Sequence, residues 1–405
     1  MIAPKALSAS PLPRLLYLAD VPVEASFYGS ILLYRLLEDY PTEKLLIVEP
    51  TMARSNDSRR LKNVRYLPFW IGWPRLLHSR FARRYGALVA RRSPRLHRKL
   101  SRLTRSFQAE AVLTVTHGYS WLTAAAFAER NRLPLHLILH DDWLGNLVAP
   151  RWMKPWAESM FGHFYCTAAS RMCVSPWMEA RYRKLYNVAG FVLYPSRALD
   201  CPAALAPPSR FRKNRNGVVF ALCGTILFKN VAETLRRLAE LLEKSSSRLV
   251  IFGPLTRSGA DALGLVRSNI VLGGLLKSNE LIERLRSEAD VIVVVMSFSP
   301  NERTHMEISF PSKLTDSTAT GLPMLIVGPD YCSAVRWAKE NPGAAEIVAT
   351  EDEASLQAAI DRLINNPAYR RQLAARSVEV GRTYFSHEAA QATFHRALNF
   401  QGTGA

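Results

Sequence analysis

Residues Ser309–Pro329 read SFPSKLTDSTATGLPMLIVGP, and the order of signals in that stretch decides the fold. Pro311 opens a helical turn, Lys313 and Asp316 stand three residues apart on one face of it, and Gly321 and Pro323 close it. Met324 to Val327 then form a short apolar strand. The stretch follows a second apolar run, Val291 to Met296, across a polar loop from Ser297 to Ile308. A helix between two fully apolar strands predicts parallel pairing in a sheet covered on both faces. Pro at a first helical turn leaves the opening N–H groups free, and with the helix dipole these favour an anion beside Ser312 and Lys313. Asp316, one turn on, is placed to accept hydrogen bonds from a diol.

The same rhythm extends outward. Upstream lie Gly217 to Leu222, a helix from about Asn230 to Glu243, strands Arg248 to Phe252 and Ile270 to Leu272, and a helix near Asn279 to Ser287. Gly273 and Gly274 read as a turn after a strand. An earlier series runs through Arg14 to Ala19, a helix over about Phe27 to Glu38, Leu45 to Val48, Ala111 to Val115, a helix near Tyr119 to Asn131, Leu135 to Leu139, Arg171 to Val174 and Phe191 to Leu193. From Pro195 to Asn216 the rhythm stops among prolines and basic residues. Two such series predict an α/β protein of two doubly wound, Rossmann-like domains, with ligands at the carboxyl ends of the strands in a cleft between them. The expected divisions are 1–200, a linker at 201–216, a second domain at 217–382, and a C-terminal helix at 383–405 that crosses back to the first.

A chain of 405 residues with 48% hydrophobic and 21% charged residues is neither disordered, collagen-like nor a disulfide scaffold. Five cysteines without a CxxC pair suggest neither a zinc site nor disulfides, and no apolar run is long enough to cross a bilayer, so a cytoplasmic setting is expected. The net charge of +19 is concentrated. Residues 58–109 hold fifteen Lys or Arg and no acid, interleaved with Tyr66, Phe69, Trp70, Trp73, Phe81 and Tyr85. Such a surface suits anionic lipid headgroups, phosphorylated glycans or nucleic acid, against the plain alternative of a solvated helix face. An anionic membrane is the expected partner and nucleic acid is not.

The run FPSKLTDSTATGLP at 310–323 resembles the donor-binding helix of GT-B glycosyltransferases, particularly family 4, whose pattern is FPSKLxEYxAxGxP. The resemblance implies a transferase for nucleotide sugars that retains the anomeric configuration and needs no metal or other cofactor. It places Asp316 on the donor ribose. The acid that contacts the sugar falls by position on Ile308, with Glu307 beside it. CGTILFKN at 223–230 is similar to the family's GRLxxxKG turn, which carries Gly224 and Lys229 over as phosphate contacts, with Thr225 in place of the Arg and Arg303 as its substitute. THGYSW at 116–121, LHDDW at 139–143 and the turn with Gly29 resemble first-domain elements near the transferring sugar. The implied catalytic set is His117, Lys229 and Glu307. The implied donor set is Gly29, Gly224, Thr225, Lys229, Arg303, Ser312, Lys313 and Asp316, with His140 and Asp141 on the side of a glycan or lipid-linked acceptor.

Plain readings stand beside these. Lys313 and Asp316 also fit a surface ion pair, and His117 and His140 also fit ordinary core or turn histidines. Lys229 also fits a solvated lysine, although a cation at the positive end of a helix calls for an anion. Asp141 and Asp142 point in different directions as neighbours and do not read as a metal pair. The rival classes are another GT-B reaction, such as a sugar-nucleotide epimerase, and a non-catalytic basic binding protein on the same scaffold.

Overall fold

Short β-branched and leucine-rich runs that cannot find water on either side become the central strands. The computed structural model describes residues 12–25, 29–209 and 217–400. In its first sheet the strands are β1 (Leu15–Leu18), β2 (Leu45–Pro50), β3 (Arg65–Phe69), β4 (Ala111–Val115), β5 (Leu135–Leu139), β6 (Ser170–Cys173) and β7 (Phe191–Val192). They lie in the order β3-β2-β1-β4-β5-β6-β7. Every residue of β1, β4 and β5 is buried. Pairing is parallel, with Leu15 opposite both Leu45 and Ala111.

The second sheet contains β8 (Val219–Cys223), β9 (Arg248–Phe252), β10 (Ile270–Gly274), β11 (Val291–Val295), β12 (Met324–Val327) and β13 (Glu346–Val348). Their order is β10-β9-β8-β11-β12-β13, again parallel. The helix Lys229–Glu243 buries Val231, Leu235, Leu238 and Leu242 against Phe220, Ile251 and Val293 of this sheet. Those contacts fix where its first residue sits. In each sheet the strand order reverses once, between β1 and β4 and between β8 and β11, and ligands of such sheets gather at that place.

Two features escape a periodicity argument. β3 is an edge strand within the basic segment, largely exposed or half-buried, with Pro68 in it, so it carries no apolar run. The helices Ala82–Arg92, His97–Thr104 and Lys154–Thr167 are not anticipated either. Gly273 and Gly274 form the end of β10 itself rather than a turn after it.

The chain divides into two compact units, Met1–Leu193 with Ala390–Ala405, and Tyr194–Ala389. The first division falls at 193/194 instead of near 200 because Tyr194 packs edge-on against Phe310 and Phe385, and Arg197 donates its N–H to Phe385 O at 2.9 Å. Of the expected linker, residues 210–216 lie outside the described residues. The N–H of Ala204 already bonds to Ala319 O at 2.7 Å. The last helix, His387–Leu398, passes from the second unit into the first, where the Gln391 amide donates to Arg35 O and Leu36 O at 3.2 and 3.1 Å.

Candidate functional site

In the second unit β8 ends at Cys223, and Gly224 turns the chain with φ +108°. A Cβ at Gly224 would meet open space, so the demand there is for backbone conformation alone. The N–H of Gly224 bonds to Phe252 O at 2.8 Å, which fixes the turn on β9. Thr225 is half-buried, and Lys229 stands exposed at the first position of a fifteen-residue helix whose first turn holds no acid. Asn230 accepts from the Phe298 N–H at 2.8 Å and the Ser297 hydroxyl at 3.3 Å. That side chain ties the helix start to the loop after β11, across the point where the strand order reverses.

The loop after β11 contains a short helix, Arg303–Ile308. Arg303 Nε stands 2.8 Å from Glu307 Oε1, and its guanidinium lies over the Tyr331 ring at 4.5 Å. Ile308, at the position of the family's sugar-binding acid, is buried. Glu307 therefore offers the available carboxylate in that turn.

The helix after Pro311 is brief, Lys313–Ser317, followed by a turn to Gly321. Its shortness has a cause in the sequence. Hydroxyls of Ser317, Thr318 and Thr320 donate to carbonyls three or four residues back at 2.7 to 2.8 Å, the local bonding by which Ser and Thr compete with a regular helix. The N–H groups of Leu314 and Thr315 already bond to Pro311 O and Ser312 O. Two of the N–H groups expected to be free at this helix start are therefore already bonded, and an anion here would rest chiefly on Lys313.

Lys313 and Asp316 are nonetheless brought to the end of β8. Burial pushes the Cys223 thiol up to about 12, with Asp316 raising it further and Lys313 opposing. Burial also lowers the Lys313 ammonium from its usual range. Beneath the helix Arg197, buried, donates to Thr318 Oγ1 at 2.9 Å and Thr315 O at 3.4 Å, and burial lowers its guanidinium against the opposing effect of Cys201 and Asp316. Ser312 is exposed at the helix cap. Gly224, Thr225, Lys313 and Asp316 thus gather at the end of β8, Lys229 opens the helix that follows it, and Arg303 and Glu307 sit on the loop after β11.

In the first unit the loops after β1, β4 and β5 converge at the other reversal point. Asp20 accepts the N–H of Ser120 at 2.8 Å and that of Tyr119, which caps the helix Ser120–Asn131. Burial raises the Asp20 carboxyl above its ordinary range, and these N–H bonds oppose the shift. Trp143 Nε1 donates to Gly118 O at 2.7 Å. The loop carrying His117 is held from both sides, with His117 itself exposed.

His140 lies against the first residue of the helix Gly29–Leu37. A Cβ on Gly29 would sit 2.8 Å from His140 Nδ1, so only glycine fits. Burial lowers the imidazole to about 4, opposed by Asp141. Among the described residues its Nε2 is buried without a hydrogen-bond partner. Gly29, His117, His140 and Asp141 therefore share one edge. Asp20 belongs with them and was missed by sequence reasoning, although an acid directly after a first apolar strand is a signal that the strand's carboxyl end does polar work. Among the described residues no three His, Cys, Asp or Glu side chains gather as a metal-binding group.

No family model matches the chain, and no curated protein matches it in sequence. Solved structures match over nearly the whole length. HepE of Anabaena in complex with UDP and glucose is 14% identical, with TM-score 0.66 over 95% of this chain and 99% of that one. Sucrose-phosphate synthase from Thermosynechococcus elongatus is 14% identical, with TM-score 0.65 over 94% and 97%. WaaG, a glycosyltransferase involved in lipopolysaccharide biosynthesis, is 13% identical, with TM-score 0.59 over 96% and 100%. At such identities the likeness is one of fold.

Proposed function

We propose that this chain, whose fold is that of the GT-B glycosyltransferases, transfers a hexose from a nucleotide sugar to a glycan or lipid-linked acceptor with retention of configuration. What supports this reading above all is that Lys313 and Asp316 come to Cys223 at the end of β8, the strand from which the chain turns into the helix opened by Lys229. A cation at a positive helix end and a second, half-buried ammonium suit a diphosphate, and a carboxylate nearby suits a ribose diol. In this reading the Gly224–Lys229 turn and Lys313 hold the diphosphate, with Arg303 available to it. Ser312 borders the phosphates, Glu307 meets the donor sugar, and Gly29, where a Cβ would press on His140, belongs to the same donor set.

His117 contacts the transferring sugar, and His140 and Asp141 face the acceptor. The bond between the anomeric carbon and the diphosphate oxygen breaks, the acceptor oxygen bonds to that carbon on the same face, and the acceptor proton passes to the leaving phosphate. Fixed cations at that phosphate stabilise the charge that develops. The donor needs no metal or cofactor in this scheme. The protein acts at the cytoplasmic face of the plasma membrane, in cell-surface polysaccharide or glycoconjugate synthesis, with residues 58–109 toward the anionic lipid.

Thermal-shift titration with UDP, GDP and ADP sugars, followed by assays of donor hydrolysis and transfer, tests the proposal. One nucleotide class should raise the melting temperature, and its sugar should be released slowly without acceptor and faster with one. The absence of any nucleotide effect overturns the reading, and epimerised free donor would move it to the rival GT-B reaction.

A further inference from the structure

The helix Ala82–Arg92 buries Gly86, Ala87, Val89 and Ala90, which leaves Arg84, Leu88 and Arg91 outward in line with Phe81. Leu88 is 59% exposed and Phe81 49%, and Trp73 and Trp152 are each 62% exposed. Single exposed apolar side chains are ordinary, but these are bound into one surface. The Trp73 N–H donates to Tyr85 Oη at 2.6 Å, which fastens its loop to the helix. On the other flank Tyr119 Oη donates to Val148 O at 3.0 Å, and a Cβ on Gly86 would run into that same carbonyl, so the segment 148–152 lies flush on the helix. The Arg91 guanidinium then covers the Trp152 ring at 5.2 Å, and Arg80 covers Phe81 at 4.8 Å. Two distant pieces of chain build one face of rings, aliphatic side chains and guanidinium groups.

We infer that this face is a wedge that inserts into an anionic bilayer, with Trp73, Phe81, Leu88 and Trp152 at the acyl boundary and Arg84 and Arg91 on lipid phosphates. Charge attracts such a face to the surface, and rings with cationic neighbours settle at the boundary between headgroup and hydrocarbon. The absence of acids from 58 to 109 removes repulsion from lipid phosphate. Nucleic acid is the lesser fit, because Leu76, Leu88 and Val148, all exposed, have no π-face on which a base can stack. The inference rests on the reading that 58–109 meets an anionic membrane, and it goes further by assigning insertion and by drawing in Trp152 from outside that segment.

The test uses the full chain with phosphatidylcholine vesicles, with and without phosphatidylglycerol, whose acyl chains carry bromine as a quencher. Tryptophan emission should be quenched by the anionic vesicles only, and W152F should lose part of the quenching. The double variant F81E/L88E should bind these vesicles about a hundredfold more weakly, as expected when two such side chains stop entering hydrocarbon. Its melting temperature and nucleotide affinity should be unchanged. Vesicle binding without quenching, or tighter binding to a single-stranded oligonucleotide than to vesicles, overturns the inference. Should the double variant fold poorly, quenching of the unaltered protein decides alone. Loss of nucleotide binding in every assay would overturn the transferase reading and leave this one standing.

Discussion

Arg303 and Glu307 hold each other at 2.8 Å across one helical turn, so the side chains assigned to a donor phosphate and to a donor sugar are paired with each other. Arg303 is exposed and Glu307 half-buried, and solvent weakens such a pair enough for a diphosphate to draw Arg303 away. Arg303→Ala should weaken nucleoside diphosphate binding about tenfold, the value of one charged hydrogen bond. Glu307→Gln should leave that affinity equal or tighter while it lowers the transfer rate. Calorimetry on both variants checks the pair, and weaker diphosphate binding by Glu307→Gln would show the carboxylate to be a support for Arg303 and nothing more.

Lys229 is exposed at the start of a helix that carries no acid in its first turn. Among the described residues no partner offsets the unfavourable placement of a cation there, which is what an anionic ligand would do. Lys229→Ala should weaken diphosphate binding and leave the melting temperature of the empty protein unchanged or slightly raised. A fall in that temperature, measured by differential scanning fluorimetry, would assign Lys229 to the scaffold.

The sheets were legible in the sequence because β4, β5, β11 and β12 are buried on both sides and so read as unbroken apolar runs. β3 was not, because an edge strand with one buried residue leaves no periodic mark. That Lys313 and Asp316 share one short helix followed from the motif around them. The shortened helix did not, since its cause lies in which carbonyls the hydroxyls of Ser317, Thr318 and Thr320 choose. Asp20 and Arg197 act on residues about one hundred or more positions away, through contacts that only the fold creates.

Asp20 joins the end of β1 to the start of the helix that follows β4. Asp20→Ala removes the acceptor for two backbone N–H groups and should cost about 0.5–2 kcal/mol of stability, as for other lost helix caps. Asp20→Asn keeps an acceptor and should cost less. Urea unfolding of the two variants checks the order, and equal losses would mean that charge alone matters.

His140 sits neutral against Gly29, its pKa lowered by burial to about 4 from 6.5. The unfolded chain binds a proton at this site that the folded chain refuses, so stability is full above about pH 6.5 and is lost as pH falls toward about 4, by at most about 1.4 kcal/mol per pH unit. His136, buried in β5 and lowered to about 4 by burial, adds a loss of the same sign. Asp20, raised by burial, acts in the opposite direction. The unaltered chain should therefore lose more of its melting temperature than His140→Gln between pH 7 and pH 4.5. Parallel pH profiles would show that His140 is not held neutral.

Asp316 decides the donor assignment. It stands five residues before Gly321, at the place of the ribose-binding acid in the GT-B pattern, and it neighbours Cys223 at the end of β8 and Arg197 beneath the helix. Asp is one methylene shorter than Glu, so the ribose must lie closer to the helix or be reached through a water. Asp316→Asn keeps the shape and removes the charge, which should cost about 1.5–3 kcal/mol of nucleotide affinity. Because Arg197 also feels this carboxylate, the melting temperature of the empty variant must be read alongside, and a shift there measures the structural share. A nucleotide analogue that lacks both ribose hydroxyls separates the two roles. Its binding, weaker from the outset, should hardly respond to the substitution if Asp316 reads the diol. An equal loss for the nucleotide and the analogue would take the ribose away from Asp316, and with it the assignment of Ser312 and Lys313 to the same donor.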